Sequence, residues 1–221
     1  MTSFLLVLAL AAAINPSGHW EGAVDTPQRS VTFQVDLTTI NGALGGAITV
    51  PSQHLNGLPL TKVVVDGASV TFGARSDQLL AATIADDGKT MSGTFTMDAY
   101  SFPFALTRTG EARIEPLPTS APIAKELEGT WNGTLTGATA EIHLVLTMRN
   151  EPDGGARATI VNVDEGGLRL PMRVTQRAST ITLTTSVVDG SFEGELNASG
   201  ELVGTYRQSG MEVPLTFHRG R

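Results

Sequence analysis

The chain repeats itself at an offset of 111 residues, and this internal repeat restricts its architecture more than any other feature. Gly18-His19-Trp20-Glu21-Gly22 is matched by Gly129-Thr130-Trp131-Asn132-Gly133, and Gly93-Thr94-Phe95 by Gly204-Thr205-Tyr206. Val70-Thr71-Phe72 is matched by Ile181-Thr182-Leu183, and residues 103–108 return as 214–219. Leu58-Pro59-Leu60 recurs one place further on, as Leu170-Pro171-Met172. Both tryptophans of the chain occupy equivalent positions, and Arg108 follows Trp20 at the separation by which Arg219 follows Trp131. One register held over this length implies tandem modules at 14–111 and 128–221, with 112–127 between them and 1–13 ahead of them.

Each module reads as β-structure. In Val31-Thr32-Phe33-Gln34-Val35-Asp36-Leu37 the apolar residues take alternate positions, which puts them on one face of a strand. Turn dipeptides such as Asn41-Gly42, Asn56-Gly57, Asp66-Gly67, Asp189-Gly190 and Ser199-Gly200 punctuate both copies. No window sustains the spacing of an amphipathic helix. The expectation is about eight short strands per module in an up-and-down order, which can close into a barrel and so remove both sheet edges. Closure makes the first and last strands neighbours, bringing Arg108 against Trp20 and Arg219 against Trp131 as cation–π plugs of the barrel ends. The intervening stretch carries Pro116, Pro118 and Pro122, which favour an extended, Pro-rich linker able to hold the modules apart, although nothing forbids them from packing together.

A Gly-x-Trp on the first strand, crossed by a basic residue from the last, resembles the calycin superfamily, the lipocalins and their relatives. The ordered set Trp20-Glu21-Gly22, Leu58-Pro59-Leu60, Gly93-Thr94-Phe95 and residues 102–108 is similar to a short β-module of secreted bacterial proteins. There it often precedes an α/β-hydrolase domain, which this chain lacks. The resemblance implies an all-β chain of two tandem, small, lipocalin-like barrels, with strands shorter than those of the lipocalins.

Residues 4–14 form an unbroken apolar run, about half the length of a bilayer-spanning helix. With Ala11-Ala12-Ala13 it matches a signal-peptide core and cleavage site, although no Lys or Arg precedes it. The expectation is a signal peptide over 1–13, cleaved near Ala13, and a secreted or periplasmic protein that meets a membrane only through that peptide. The net charge of −7 argues against a nucleic-acid partner. The absence of cysteine excludes thiol nucleophiles, thiolate metal sites and disulfides.

The search for chemistry finds no G-x-S-x-G, S-x-x-K or H-E-x-x-H motif, and His19, His54, His143 and His218 occupy non-equivalent places in the repeat. Glu141 and His143 share a face opposite Ile142 and Leu144 and read as a solvated pair. Arg169, Arg173 and Arg177 align on one strand face and read as a solvent face before an anion site. No catalytic residue, metal or cofactor is assigned, and the chain reads as a non-enzyme. Phe33, Phe72, Phe102, Phe104, Leu144 and Leu183 are the candidate barrel-lining residues for a small apolar ligand, in barrels that are either hollow or filled. The functional expectation is an exported, non-catalytic binding protein that takes an apolar ligand or acts as an interaction module. The alternatives are a partner of an exported α/β-hydrolase and, last, a hydrolase with an unrecognised site.

Overall fold

The computed structural model describes residues 14–136 and 140–220. The apolar run assigned to a signal peptide lies, but for Ile14, outside the described residues. Module one contains β1 (Gly18–Asp25), β2 (Ser30–Ile40), β3 (Ala43–Val50), β4 (Leu55–Pro59), β5 (Lys62–Asp66), β6 (Ser69–Gly73), β7 (Gln78–Ile84), β8 (Thr90–Met97) and β9 (Tyr100–Gly110). Module two contains β10 (Gly129–Thr136), β11 (Glu141–Asn150), β12 (Ala156–Asn162), β13 (Leu168–Arg177), β14 (Thr180–Thr185), β15 (Gly190–Leu196), β16 (Leu202–Gln208) and β17 (Met211–Arg219). Two short 3-10 turns, Pro51–Gln53 and Lys125–Leu127, complete the regular structure of the described residues.

All strand pairs are antiparallel neighbours, as a meander requires. The β2–β3 hairpin turns at Asn41-Gly42, with φ of 51° and 83°, the left-handed pair that matches the twist of a two-residue hairpin. Burial alternates along the strands, most regularly in β12, so one face of each sheet forms a core. Gly22 and Gly93 sit where that curved sheet closes most tightly. A Cβ at either would collide with the neighbouring strand's backbone, at the carbonyl oxygens of Ala105 and Ala81. Of their counterparts, Gly204 meets the Glu193 carbonyl oxygen in the same way, while Gly133 is crowded less severely, by the Phe217 ring at 2.7 Å. Close packing of the wall therefore explains the glycines of both repeated motifs.

Module two is a closed eight-stranded barrel, β10 to β17, sealed where Trp131 pairs with Arg219. Module one departs from the expected closed barrel. It is a curled nine-stranded sheet, ordered β4-β3-β2-β1-β9-β8-β7-β6-β5, whose end strands do not pair with each other. The cause is visible in β13, whose first half pairs with β12 and whose second half pairs with β14. The equivalent strand of module one is interrupted at Leu60-Thr61, leaving β4 on β3 and β5 on β6. There the Leu60 amide donates to the Gly46 carbonyl and the next amide, Thr61, to the Gly73 carbonyl, both at 2.9 Å. The chain thus changes neighbours within one residue, and the sheet remains barrel-like through the covalent link.

In module two the same corner is tied by the linker. The Ala156 amide donates to the Ser120 carbonyl and the Val174 amide to the Ser120 hydroxyl, each at 2.9 Å. Ile123 and Leu127 are buried in the module two core, and Asn150 exchanges two hydrogen bonds with the Ile123 backbone. The extended spacer expected from the prolines is instead, over 119–127, a strap folded onto module two. The modules also touch directly, since Leu58 and Ala74 of module one pack in the module two core.

Candidate functional site

Each module is plugged at one end. Trp20 and Trp131 are buried, and their indole nitrogens donate to the carbonyls of Pro16 at 2.9 Å and Leu127 at 3.0 Å. The Arg108 guanidinium carbon lies 4.6 Å from the Trp20 ring centre, and that of Arg219 4.3 Å from Trp131. Each arginine also donates to the segment that enters the first strand: Arg108 to the Asn15 carbonyl, Arg219 to the carbonyls of Glu126 and Glu128. In both modules the guanidinium thus lies over the indole ring, with backbone carbonyls accepting its hydrogen bonds.

The opposite ends are open and face one another. Between them lies a cavity of about 570 Å³, within the size range of small-molecule pockets. Its lining repeats the duplication: Val24 with Leu135, Val31 with Ile142, Phe33 with Leu144, Ile48 with Ile160, and Leu58 with Leu170. The two halves meet across two backbone hydrogen bonds and one from a side-chain hydroxyl. The Asn56 amide donates to the Val187 carbonyl at 2.8 Å, and the Ser76 amide and hydroxyl both donate to the Gly166 carbonyl, at 2.8 and 3.0 Å.

Of the six candidate lining residues, Phe33, Phe102 and Leu144 border this cavity. Phe72, Phe104 and Leu183 are buried in the filled parts of the two interiors. Phe104 stands edge-on to Phe33 and Phe72, with ring centres 5.8 and 6.4 Å away. Each module is thus filled near its tryptophan and opens towards its neighbour.

Sequence reading missed Leu58 and Leu170, although their Leu-Pro motif repeats. It also missed Phe95 and Tyr206, which border the cavity from the repeated Gly-Thr-aromatic motif.

One ion group stands at the cavity rim. Arg75 donates two hydrogen bonds to Asp77, at 3.0 and 2.6 Å, and lies 3.8 Å from Glu165 of module two. The hydrogen bond to Asp77 raises the Arg75 pKa against the cost of burial, and the same bond lowers that of Asp77. Deeper in module two, the Tyr206 hydroxyl donates to Gln208 at 2.8 Å, and burial pushes its pKa up. Glu141 and His143 are exposed; the imidazole of His143 lies 3.0 Å from Asp164. Arg169, Arg173 and Arg177 are exposed too, and Arg173 donates to the Thr119 carbonyl of the strap at 2.9 Å. Among the described residues no group of three or more acidic or histidine side chains is placed to hold a metal ion.

No protein-family model matches the chain, and no curated protein matches it. Among solved structures it is similar to a provisionally assigned outer membrane protein from Bacteroides fragilis. The two share 14% identity over 91% of this chain and 95% of that one, with a TM-score of 0.28. A protein of unknown function from the DUF3598 family, from Nostoc punctiforme, is similar at 11% identity over 91% and 94% of the two chains, with a TM-score of 0.27. Likenesses at these values assign no function.

Proposed function

We propose that the protein is an exported, non-catalytic binding protein that encloses one small, largely apolar molecule between its two modules. The observation that carries this reading is the cavity of about 570 Å³, lined from equivalent positions of both copies by apolar side chains. A packed interior has few voids larger than a water molecule. A space of this size with an apolar wall gains free energy when an apolar molecule displaces its water. The resemblance to calycins supports the same role, and the apolar run at 4–14 supports export.

The test is native mass spectrometry of the full chain recovered from its own exported fraction. Extra mass that is lost on denaturation is the expected result. A clean apo mass, together with no uptake of apolar fluorophores, overturns the reading.

Partner binding is supported by a separate observation. Tyr100 and Met211, at equivalent hairpin tips, are 65% and 63% exposed. Crosslinking at Tyr100 and Met211 in the exported fraction tests this second role, and recovery of the uncrosslinked chain alone would remove it.

A further inference from the structure

The two halves of the cavity are matched in position and unmatched in chemistry. Val50 of module one corresponds to Asn162 of module two, and Ala74 to Thr185. Phe95 corresponds to Tyr206, and Met97 to Gln208. All eight residues border the cavity, and each of the four exchanges runs from apolar to polar in the same direction. Asn162 and Thr185 are buried, where polar groups are retained only with hydrogen-bond partners. Each spends one acceptor within the protein: the Asn162 oxygen takes the Asp164 amide at 3.1 Å, and the Thr185 hydroxyl takes the Val187 amide at 3.2 Å. The Asn162 amide donors and the Thr185 hydroxyl proton remain for another group.

Resting on the reading of the cavity as a ligand site, we infer that its ligand is a neutral amphiphile. Its apolar body lies in module one, and its hydroxyl or carbonyl end meets Asn162 and Thr185 in module two, beside Tyr206 and Gln208, where the Tyr206 hydroxyl donates to Gln208 and the Gln208 amide to the Val188 carbonyl. The four polar groups are uncharged, so they reward hydrogen bonding and not ionic attraction. Arg75, the one cation bordering the cavity among the described residues, has its guanidinium engaged by two hydrogen bonds to Asp77 and is balanced further by Glu165. An anionic head finds no free countercharge there. The polar lining of module one does not reverse the contrast. Gln28 and Gln53 are exposed at the rim, the Thr26 hydroxyl donates to the Arg29 carbonyl at 2.7 Å, and the Gln78 amide is turned to the Met97 sulfur at 3.6 Å.

The experiment is displacement of N-phenyl-1-naphthylamine from the full chain by 1-decanol, decanoate and 1-chlorodecane at neutral pH. The expected result is that 1-decanol displaces the reporter at about one tenth the concentration that 1-chlorodecane needs, the effect of one or two net hydrogen bonds. Decanoate should be weaker than 1-decanol. Asn162→Val with Tyr206→Phe, which gives module two the residues or near-residues of module one, should erase the alcohol preference and keep the reporter bound. If that pair fails to fold, Tyr206→Phe alone should reduce the preference. Equal displacement by all three probes overturns this inference and leaves the cavity reading standing. Tightest binding by decanoate overturns it in favour of a charged head. No reporter binding removes both readings together.

Discussion

Arg219 holds Trp131 from above while both side chains reach back to the same strap: the indole to the Leu127 carbonyl, the guanidinium to those of Glu126 and Glu128. This one pair therefore joins the first strand, the last strand and the entry segment of module two. Trp131→Ala should cost about 3–5 kcal/mol, since it empties the plugged end of the core. Leu58 and Ala74 lie in that same core, so the loss should also lower the unfolding midpoint of module one. Calorimetry checks both points. A mutant in which module one melts unchanged would show that the contact between modules contributes little to stability.

His19 gives module one a pH dependence through a buried cluster of ionisable groups. It is 4% exposed, with its ring nitrogens 2.7 Å from Asp36 and 3.0 Å from Glu21. Asp36 also accepts the Arg113 amide at 2.7 Å, so the same carboxylate anchors the start of the linker. Burial lowers the His19 pKa, but the hydrogen bonds to Asp36 and Glu21 outweigh it and the net shift is upward. A raised folded pKa means that the unfolded chain releases the proton first as pH rises. The contribution to stability is therefore complete below about pH 6.5, the ordinary histidine value, and is lost as pH rises through the folded value. Denaturant titrations across pH 5.5–8 should show this slope in the native chain and not in His19→Gln. Thr130 and Thr147 stand at the positions equivalent to His19 and Asp36, so module two has no counterpart of this buried cluster.

Gly93→Ala tests why the Gly-Thr-aromatic motif repeats. Its new methyl would meet the Ala81 carbonyl and the Ala82 Cα, backbone atoms that cannot turn aside. A destabilisation of about 1–3 kcal/mol is expected, as for other overpacked sites. Gly42→Ala meets no atom within 4 Å, and its cost should be only that of a left-handed φ of 83°, about 1 kcal/mol. Equal costs in urea denaturation would mean that the wall relaxes and that crowding is not the reason for the motif.

The repeat made the β-class, the modular division and the Trp–Arg pairs readable, because each depends on positions that recur at one spacing. Alternation then separated inward Phe33 and Leu144 from outward Gln34 and His143. It could not show whether an inward residue meets another core side chain or an open end. That distinction, Phe72 against Phe33, depends on where one module stops and the other begins. Whether a barrel-like module closes or stays a curled sheet is not legible in the pattern, because the corner at Leu60-Thr61 turns on backbone hydrogen bonds, which side-chain pattern does not encode. The cavity's polarity was present in the sequence as the exchanges Val50 to Asn162 and Phe95 to Tyr206. It becomes visible only when the copies are compared for their differences as well as their likeness.

The strap is legible in the sequence only in part. Its prolines suggested an extended spacer, while Ile123 and Leu127, four residues apart just ahead of Trp131, are the residues that bury it. Both pack in the module two core, and the Ala124 amide donates to Gln176 at 2.8 Å between them. Ile123→Ala and Leu127→Ala should each cost about 2–5 kcal/mol, the range for large-to-small changes in a core. Changing Leu117, which is 49% exposed, should cost less than about 0.5 kcal/mol, as surface changes do. Leu127→Ala leaves its own backbone carbonyl in place for the Trp131 indole, so the loss measures burial of the side chain and not removal of that hydrogen bond. Urea midpoints of the three variants decide between strap and spacer: a spacer would make all three changes nearly neutral.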